Sequence, residues 1–254
     1  MKDWALILGA SSGIGAKCAI ELAKEGVNIF GIYLRKPQNQ IKKLTDQIES
    51  CGVQVIYKKV NAANEKGRNG IINELKKIEK LNIKVFLHSL AFGTLKPMIN
   101  QENSLNQKNI EMTLDVMSNS LIYWTQDLFT TNLLSRGSQI IAMTSAGSKQ
   151  QWPAYGAISM AKASLESAIR QLSLELAPHQ IACNTIQAGV TITPALQRIP
   201  GYKQMVERSL TNNPHKRLTL PNDIARAVVL IGLSKNYWIT GNNIKVDGGE
   251  SLTC

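Results

Sequence analysis

Apolar positions along the chain fall into two alternating rhythms. Short runs rich in Val, Ile and Leu occur as "WALILG" (4–9), "NIFGIYL" (28–34), "VQVIYKKV" (53–60), "KVFLHSL" (84–90), "SQIIAMTS" (138–145), "IACNTIQ" (181–187) and "NNIKVDGG" (242–249). Near-continuous apolar runs of this length read as parallel strands buried on both faces. Between them lie segments with apolar residues at helical spacing. "SGIGAKCAIELAKEG" ends at Gly26 and "PQNQIKKLTDQIESCG" at Gly52, each glycine suited to a helix C-terminus. "KGRNGIINELKKIEKL" (66–81) places its charges between its apolar residues. Residues 107–134 read as one long helix, and Pro153 is placed to open the next at its first turn, running to about Ala177.

Strand and helix alternating in this way predict an α/β fold. Its sheet is doubly wound and parallel, with about seven strands and helices on both faces. No linker or repeat divides the 254 residues, so a single domain, 1–254, is expected. The interval 190–218 breaks the rhythm with Pro194, Pro200, Gly201 and Pro214. It predicts loops and short helices beyond a late strand, where open α/β sheets bind their ligands. A substrate lid is expected there.

Composition narrows the picture only slightly. Hydrophobic residues at 44% and charged residues at 19% are ordinary for a globular protein. No apolar run is long enough to span a membrane, and the N-terminus lacks a signal-peptide pattern, so a cytoplasmic location is expected. Cys18, Cys51, Cys183 and Cys254 lack metal or redox spacing and read as reduced thiols. His88, His179 and His215 lie far apart, so no metal site is expected. The net charge of +11 favours an anionic partner: a nucleotide phosphate, an acidic carrier protein or nucleic acid. Dispersed basic residues with no aromatic-interleaved patch argue against nucleic acid.

The first strand runs into "LGASSGIGAK", with Gly9, Gly13 and Gly15. Glycine lets a pyrophosphate approach the backbone, and the following helix N-terminus offers free N–H groups. Ser11 and Ser12 add hydroxyls, and Ile14 completes the turn. Strand, turn and helix in this order predict a dinucleotide site. At the end of the second strand, "YLRKP" has no carboxylate for ribose hydroxyls. Arg35 is suited instead to a 2′-phosphate, which favours NADPH over NADH; Lys36 reads equally well as a surface charge. Asn61 and Ala62 fall where the adenine is expected, and Ser89, Leu90 and Ala91 along the cofactor. His88 reads as a packed, satisfied histidine.

Three features together resemble the short-chain dehydrogenase/reductase superfamily across the whole chain: the GxxxGxG turn, a Tyr and a Lys in "YGAISMAK" (155–162), and the closing "VDGG". The resemblance implies a Rossmann-type fold and a homotetramer. That superfamily ordinarily carries YxxxK, but the position four before Lys162 is Ile158, and Asp115 stands where an Asn is usual. Both departures resemble the bacterial enoyl-acyl-carrier-protein reductases, which have Tyr-x6-Lys. "HSLAFG" is similar to the I-type of these. Ser145, in place of an outer tyrosine, and the closing "VDGGESL" are nearer the L-type, which is the subtype expected.

Seven helical residues make about two turns, so Tyr155 and Lys162 share a face about 10 Å apart, against about 6 Å for a spacing of four. In a ketone the acid protonates the oxygen on the carbon that receives hydride. In an enoyl thioester the hydride goes to the β-carbon and charge develops on an oxygen three bonds away. A displaced phenol suits the second case. The resemblance makes Lys162 a ligand of the nicotinamide ribose, Ser145 an orienting group, and Thr191 and Thr193 cofactor contacts. Arg198, Lys203, Arg208, Lys216 and Arg217 read equally well as groups that steer an acyl carrier protein and as solvated loop charges. The expected activity is NADPH-dependent reduction of trans-2-enoyl thioesters on acyl carrier protein. The alternatives are a 3-ketoacyl or other carbonyl reductase and a non-catalytic dinucleotide-binding regulator.

Overall fold

A computed structural model describes residues 2–253; Cys254 lies outside them. Seven parallel strands form one sheet in the order β3-β2-β1-β4-β5-β6-β7. They are β1 (Lys2–Leu8), β2 (Asn28–Tyr33), β3 (Val55–Lys59), β4 (Leu81–His88), β5 (Gln139–Ser145), β6 (Ala182–Ala188) and β7 (Asn243–Val246). The chain winds outward in both directions from β1 and β4, so a crevice opens beyond their C-terminal ends.

The helices are α1 (Gly13–Lys24), α2 (Gln38–Glu49), α3 (Glu65–Leu75), α4 (Gln107–Leu114), α5 (Ser120–Thr130), α6 (Gly156–Leu176), α7 (Tyr202–Asn212) and α8 (Pro221–Gly232). Two apolar layers cover the sheet, and the strand period of two sorts β1 between them. Trp4, Leu6 and Leu8 face the layer built on α3, α5 and α6, which supply Leu75, Trp124, Leu165 and Ile169. Ala5 and Ile7 face the opposite layer, with Cys18 and Leu22 of α1, Ile48 of α2 and Val228 of α8. Among the described residues, no helix is long and apolar enough to cross a membrane.

All seven expected strands form, with ends shifted by up to three residues. The helices depart from the expected pattern. The long helix over 107–134 is broken: a π-helical turn at Asp115–Asn119 separates α4 from α5, and α5 ends at Thr130. Apolar spacing cannot register one inserted residue of helical winding. Pro153 does not open α6. It lies in a turn with Ala154, whose φ is +61°, and α6 starts only at Gly156. Helix α8, with Pro221 in its first turn, was not anticipated.

Candidate active site

The crevice is a cleft of about 1000 Å³ beyond the strand ends, reaching from the first turn to the α7 region. At its cofactor end, Gly9 and Gly13 adopt φ of +84° and +54°. A Cβ on Gly9 would strike the Ser89 carbonyl, and one on Gly15 would strike the Gly9 carbonyl. The glycines therefore permit strand, turn and helix to close on one another. Ser12 caps α1 in extended conformation without a side-chain bond. Gly9, Ser11, Ser12, Gly13 and Ile14 line the cleft; Gly15 does not, and serves beneath the turn instead.

Further along the same wall, Asn61 and Ala62 follow β3 and Ser89, Leu90 and Ala91 follow β4, all lining the cleft. Arg35 and Lys36 also line it. The Arg35 guanidinium stacks on the Phe92 ring, 3.5 Å from its centroid. Stacking on an aromatic face leaves the edge of the guanidinium free for bidentate bonding. Thr191 and Thr193 close the opposite wall; Thr191 Oγ1 donates to the Gly189 carbonyl at 2.9 Å, and Thr193 Cγ2 lies against Gly13. The open glycine cradle, uncapped helix start and cleft-facing Arg35 fit a dinucleotide.

Tyr155 is not in the body of α6 but is its N-cap residue, with φ −98° and ψ 2°. The left-handed Ala154 delivers it there at the edge of the helix. Its ring lies on Gly147, where a Cβ would overlap the aromatic carbons. Ser145 Oγ is close by, buried, and without a hydrogen-bond partner of ordinary geometry. Burial pushes the Tyr155 phenol up, and the Ser145 hydroxyl opposes this. A neutral phenol is a proton donor at neutral pH. Lys162 is buried from bulk water, lines the cleft, and donates from Nζ to the Met143 carbonyl at 2.6 Å. Burial brings it down to about 8, against the charge of Glu166.

Ile158, where the ordinary acid would stand, packs with Met117, Ala161 and Tyr155 and lines the cleft. That position is apolar wall. Asp115 opens the π-helical turn and accepts from Tyr123 Oη at 2.9 Å; it is not among the lining residues. His88 is fully buried, with Nε2 2.9 Å from Ser120 Oγ and Nδ1 unpartnered, so it is packed but only half satisfied.

The 190–218 region carries α7, longer than the short helices expected. Trp152 Nε1 donates across to the Pro200 carbonyl at 2.8 Å, joining the Tyr155 loop to this region. From below, Glu250 accepts from Ser209 at 2.7 Å and from Val190 N at 3.2 Å. Arg198 and Arg208 line the cleft, while Lys203, Lys216 and Arg217 do not. Arg217 pairs with Asp223 at 2.6 Å, and Lys216 Nζ donates to the Thr211 carbonyl at 2.9 Å. Gly147, Trp152, Glu166 and Glu250 carry no signal in the sequence, because each acts through a contact that only the folded chain makes. Cys18, Cys51 and Cys183 are free thiols.

The family model for enoyl-(acyl carrier protein) reductase matches residues 9–251. The chain belongs to that family. It is accordingly an NAD(P)H-dependent oxidoreductase. It is 28% identical, over 93% of its length and 91% of the relative's, to an NADH enoyl-acyl-carrier-protein reductase of Enterococcus faecalis. It is 24% identical, over 87% of its length and 84% of the relative's, to an NADPH one of Staphylococcus aureus. Both relatives carry the I-type name, FabI, whereas Ser145 and the closing "VDGGESL" pointed to the L-type. Relatives thus differ in cofactor, and family membership leaves the choice of nicotinamide to the residues themselves. In fold the chain is similar to the NADH enoyl-acyl-carrier-protein reductase of Aquifex aeolicus, with a TM-score of 0.86 at 23% identity over 99% of this chain and 96% of the other.

Proposed function

We propose that this member of the family reduces trans-2-enoyl thioesters on acyl carrier protein, using NADPH, with Tyr155 as the acid and the Lys162 ammonium as the group that holds the cofactor. The observation that carries this reading is the pairing of Tyr155, turned into the cleft from the α6 N-cap, with apolar Ile158 at the ordinary acid's position. The Tyr155 phenol, lining the same cleft as Lys162, is thereby set back along the helix. When bound, the nicotinamide supplies a hydride to the β-carbon. Tyr155 would donate a hydrogen bond and then its proton to the thioester oxygen, where charge develops; the enol would tautomerise, its α-carbon taking a proton and the oxygen losing one, to leave the saturated thioester, and Tyr155 would be reprotonated from water. Ser145, with its unpartnered hydroxyl, orients that oxygen or the phenol. Ile158, Met117 and their neighbours keep water from the acyl chain.

Lys162 donates to the nicotinamide ribose, and its charge favours the developing anion. Gly9, Ser11, Ser12, Gly13 and Ile14 hold the pyrophosphate. Asn61 and Ala62 meet the adenine, and Ser89, Leu90 and Ala91 run along the cofactor. Thr191 and Thr193 contact the nicotinamide end. Arg35 pairs with the 2′-phosphate from its stacked position on Phe92. Residues 190–218 act as the substrate lid of one reductase domain, and Arg198 and Arg208 at its cleft-facing side meet the acidic carrier. Assembly into a homotetramer is what the family resemblance implies. A mass measurement in solution checks the assembly.

The mechanism is tested with Tyr155→Phe. Turnover is expected to fall about 100-fold or more, with NADPH affinity nearly unchanged. Full activity in this variant would refute it.

A further inference from the structure

Lys162 and Glu166 are both buried, at 6% and 7% exposure. They lie one helical turn apart on α6 and so share a face. Consecutive residues of β5 hold them. The Met143 carbonyl accepts from Lys162 Nζ at 2.6 Å, and the Thr144 hydroxyl donates to Glu166 Oε1 at 2.7 Å. The two side chains are thus fixed on one face of α6 by neighbouring residues at the end of one strand, without a direct ion-pair contact between them.

The other titratable groups around Lys162 do not replace Glu166. From β4, His88 faces the same space, but burial, reinforced by the Lys162 charge, takes it down to about 3, so it is neutral. Tyr155 at the α6 N-cap is a neutral phenol, its pKa raised by burial. Asp115, on the π-helical turn packed against α6, is bonded to Tyr123. Ser118, Ser120 and Ser164 contribute only hydroxyls. Burial by itself favours loss of the Lys162 proton, and Glu166 acts in the opposite direction.

We propose that Glu166 is a positioning residue: held by Thr144, it keeps buried Lys162 protonated and aimed into the cleft, in the form that binds the dinucleotide. This rests on the reading of Lys162 as a cofactor ligand. Glu166 itself does not touch the cleft. Its role is electrostatic, which separates it from a side chain that merely fills space. A glutamine at 166 preserves shape and can still accept from Thr144, whereas an aspartate preserves charge and loses a methylene.

The test is NADPH affinity, by fluorescence titration between pH 6.5 and 9, for the unmodified protein, Glu166→Gln and Glu166→Asp. In Glu166→Gln the alkaline loss of affinity is expected to move down by about 1 pH unit or more. Glu166→Asp should stay near the unmodified profile; a packing role gives the reverse order. An unshifted profile in folded Glu166→Gln overturns the proposal. If that variant cannot be purified, Lys162→Met/Glu166→Gln decides, because removing the uncompensated ammonium should restore folding. A soluble double variant supports the pairing, and an insoluble one overturns it. Lys162→Met alone separates the two claims. Intact NADPH affinity in it would overturn the cofactor-ligand reading, whereas lost affinity in it together with an unshifted Glu166→Gln profile would overturn the positioning claim alone.

Discussion

At Gly147 the absence of a side chain decides where the Tyr155 ring rests. An added methyl must displace the phenol or the loop. Misplacement by about 1 Å costs on the order of 100-fold in rate. Gly147→Ala is therefore expected to lower turnover by about that factor while NADPH affinity, measured by titration, is kept. Arg35 makes a different contribution, to choice of cofactor. Charge-assisted bonding to a phosphate gives an expected loss of about 10- to 100-fold in NADPH affinity for Arg35→Ala, with NADH affinity little changed. Equal loss for both would remove the 2′-phosphate contact from the account. Tyr155, Lys162 and Arg35 were legible in the sequence because their local spacing and strand-end position carry chemical meaning. Gly147 and Glu166 were not. What defines each is a contact: Tyr155's ring on one, Thr144's hydroxyl on the other.

At the scale of elements, the strands were readable because buried parallel strands concentrate Val, Ile and Leu in short runs. The middle helix was misread because a π-helical turn leaves composition unchanged while rotating everything after it. Within that turn Asp115 is bonded to Tyr123, and Met117 packs against Ile158. The α6 start was misread because Pro153 suits a first helical turn, yet Ala154 takes a left-handed conformation and delays the helix by three residues. The delay matters, since it makes Tyr155 a cap residue able to lean into the cleft. The α7 region is tied to the Tyr155 loop above through Trp152 and Pro200, and to the C-terminal tail below through Ser209 and Glu250. Trp152→Phe keeps an aromatic ring, though a smaller one, and removes the bond. With one neutral hydrogen bond worth about 1 kcal/mol, KM for an enoyl thioester should rise about 3- to 10-fold. NADPH affinity should stay fixed, because the bond lies on the substrate side. A matching loss of NADPH affinity would move Trp152 to the cofactor side.

For the whole molecule, the sheet that builds the site also buries His88 in its centre. An ordinary histidine titrates near 6.5, whereas His88 in the folded protein is driven to about 3. The unfolded chain therefore binds the proton first as pH falls. Stability contributed by neutral His88 is present above about 6.5 and is lost progressively toward 3, at up to about 1.4 kcal/mol per pH unit. Urea unfolding at pH 7.5, 6 and 5 should show this decline, and His88→Gln should flatten it. Lys162 is shifted in the same direction in a higher window: its folded pKa of about 8 lies below the ordinary lysine value, so its burial penalty is likewise relieved as pH rises above about 8.

The central claim concerns which bond is reduced, and one side-by-side assay reads it. NADPH and NADH oxidation would be followed with a crotonyl thioester and an acetoacetyl thioester under identical conditions. The account predicts turnover of the crotonyl thioester, faster with NADPH than with NADH, and little or none of the acetoacetyl thioester. Reduction of the acetoacetyl thioester alone would contradict it.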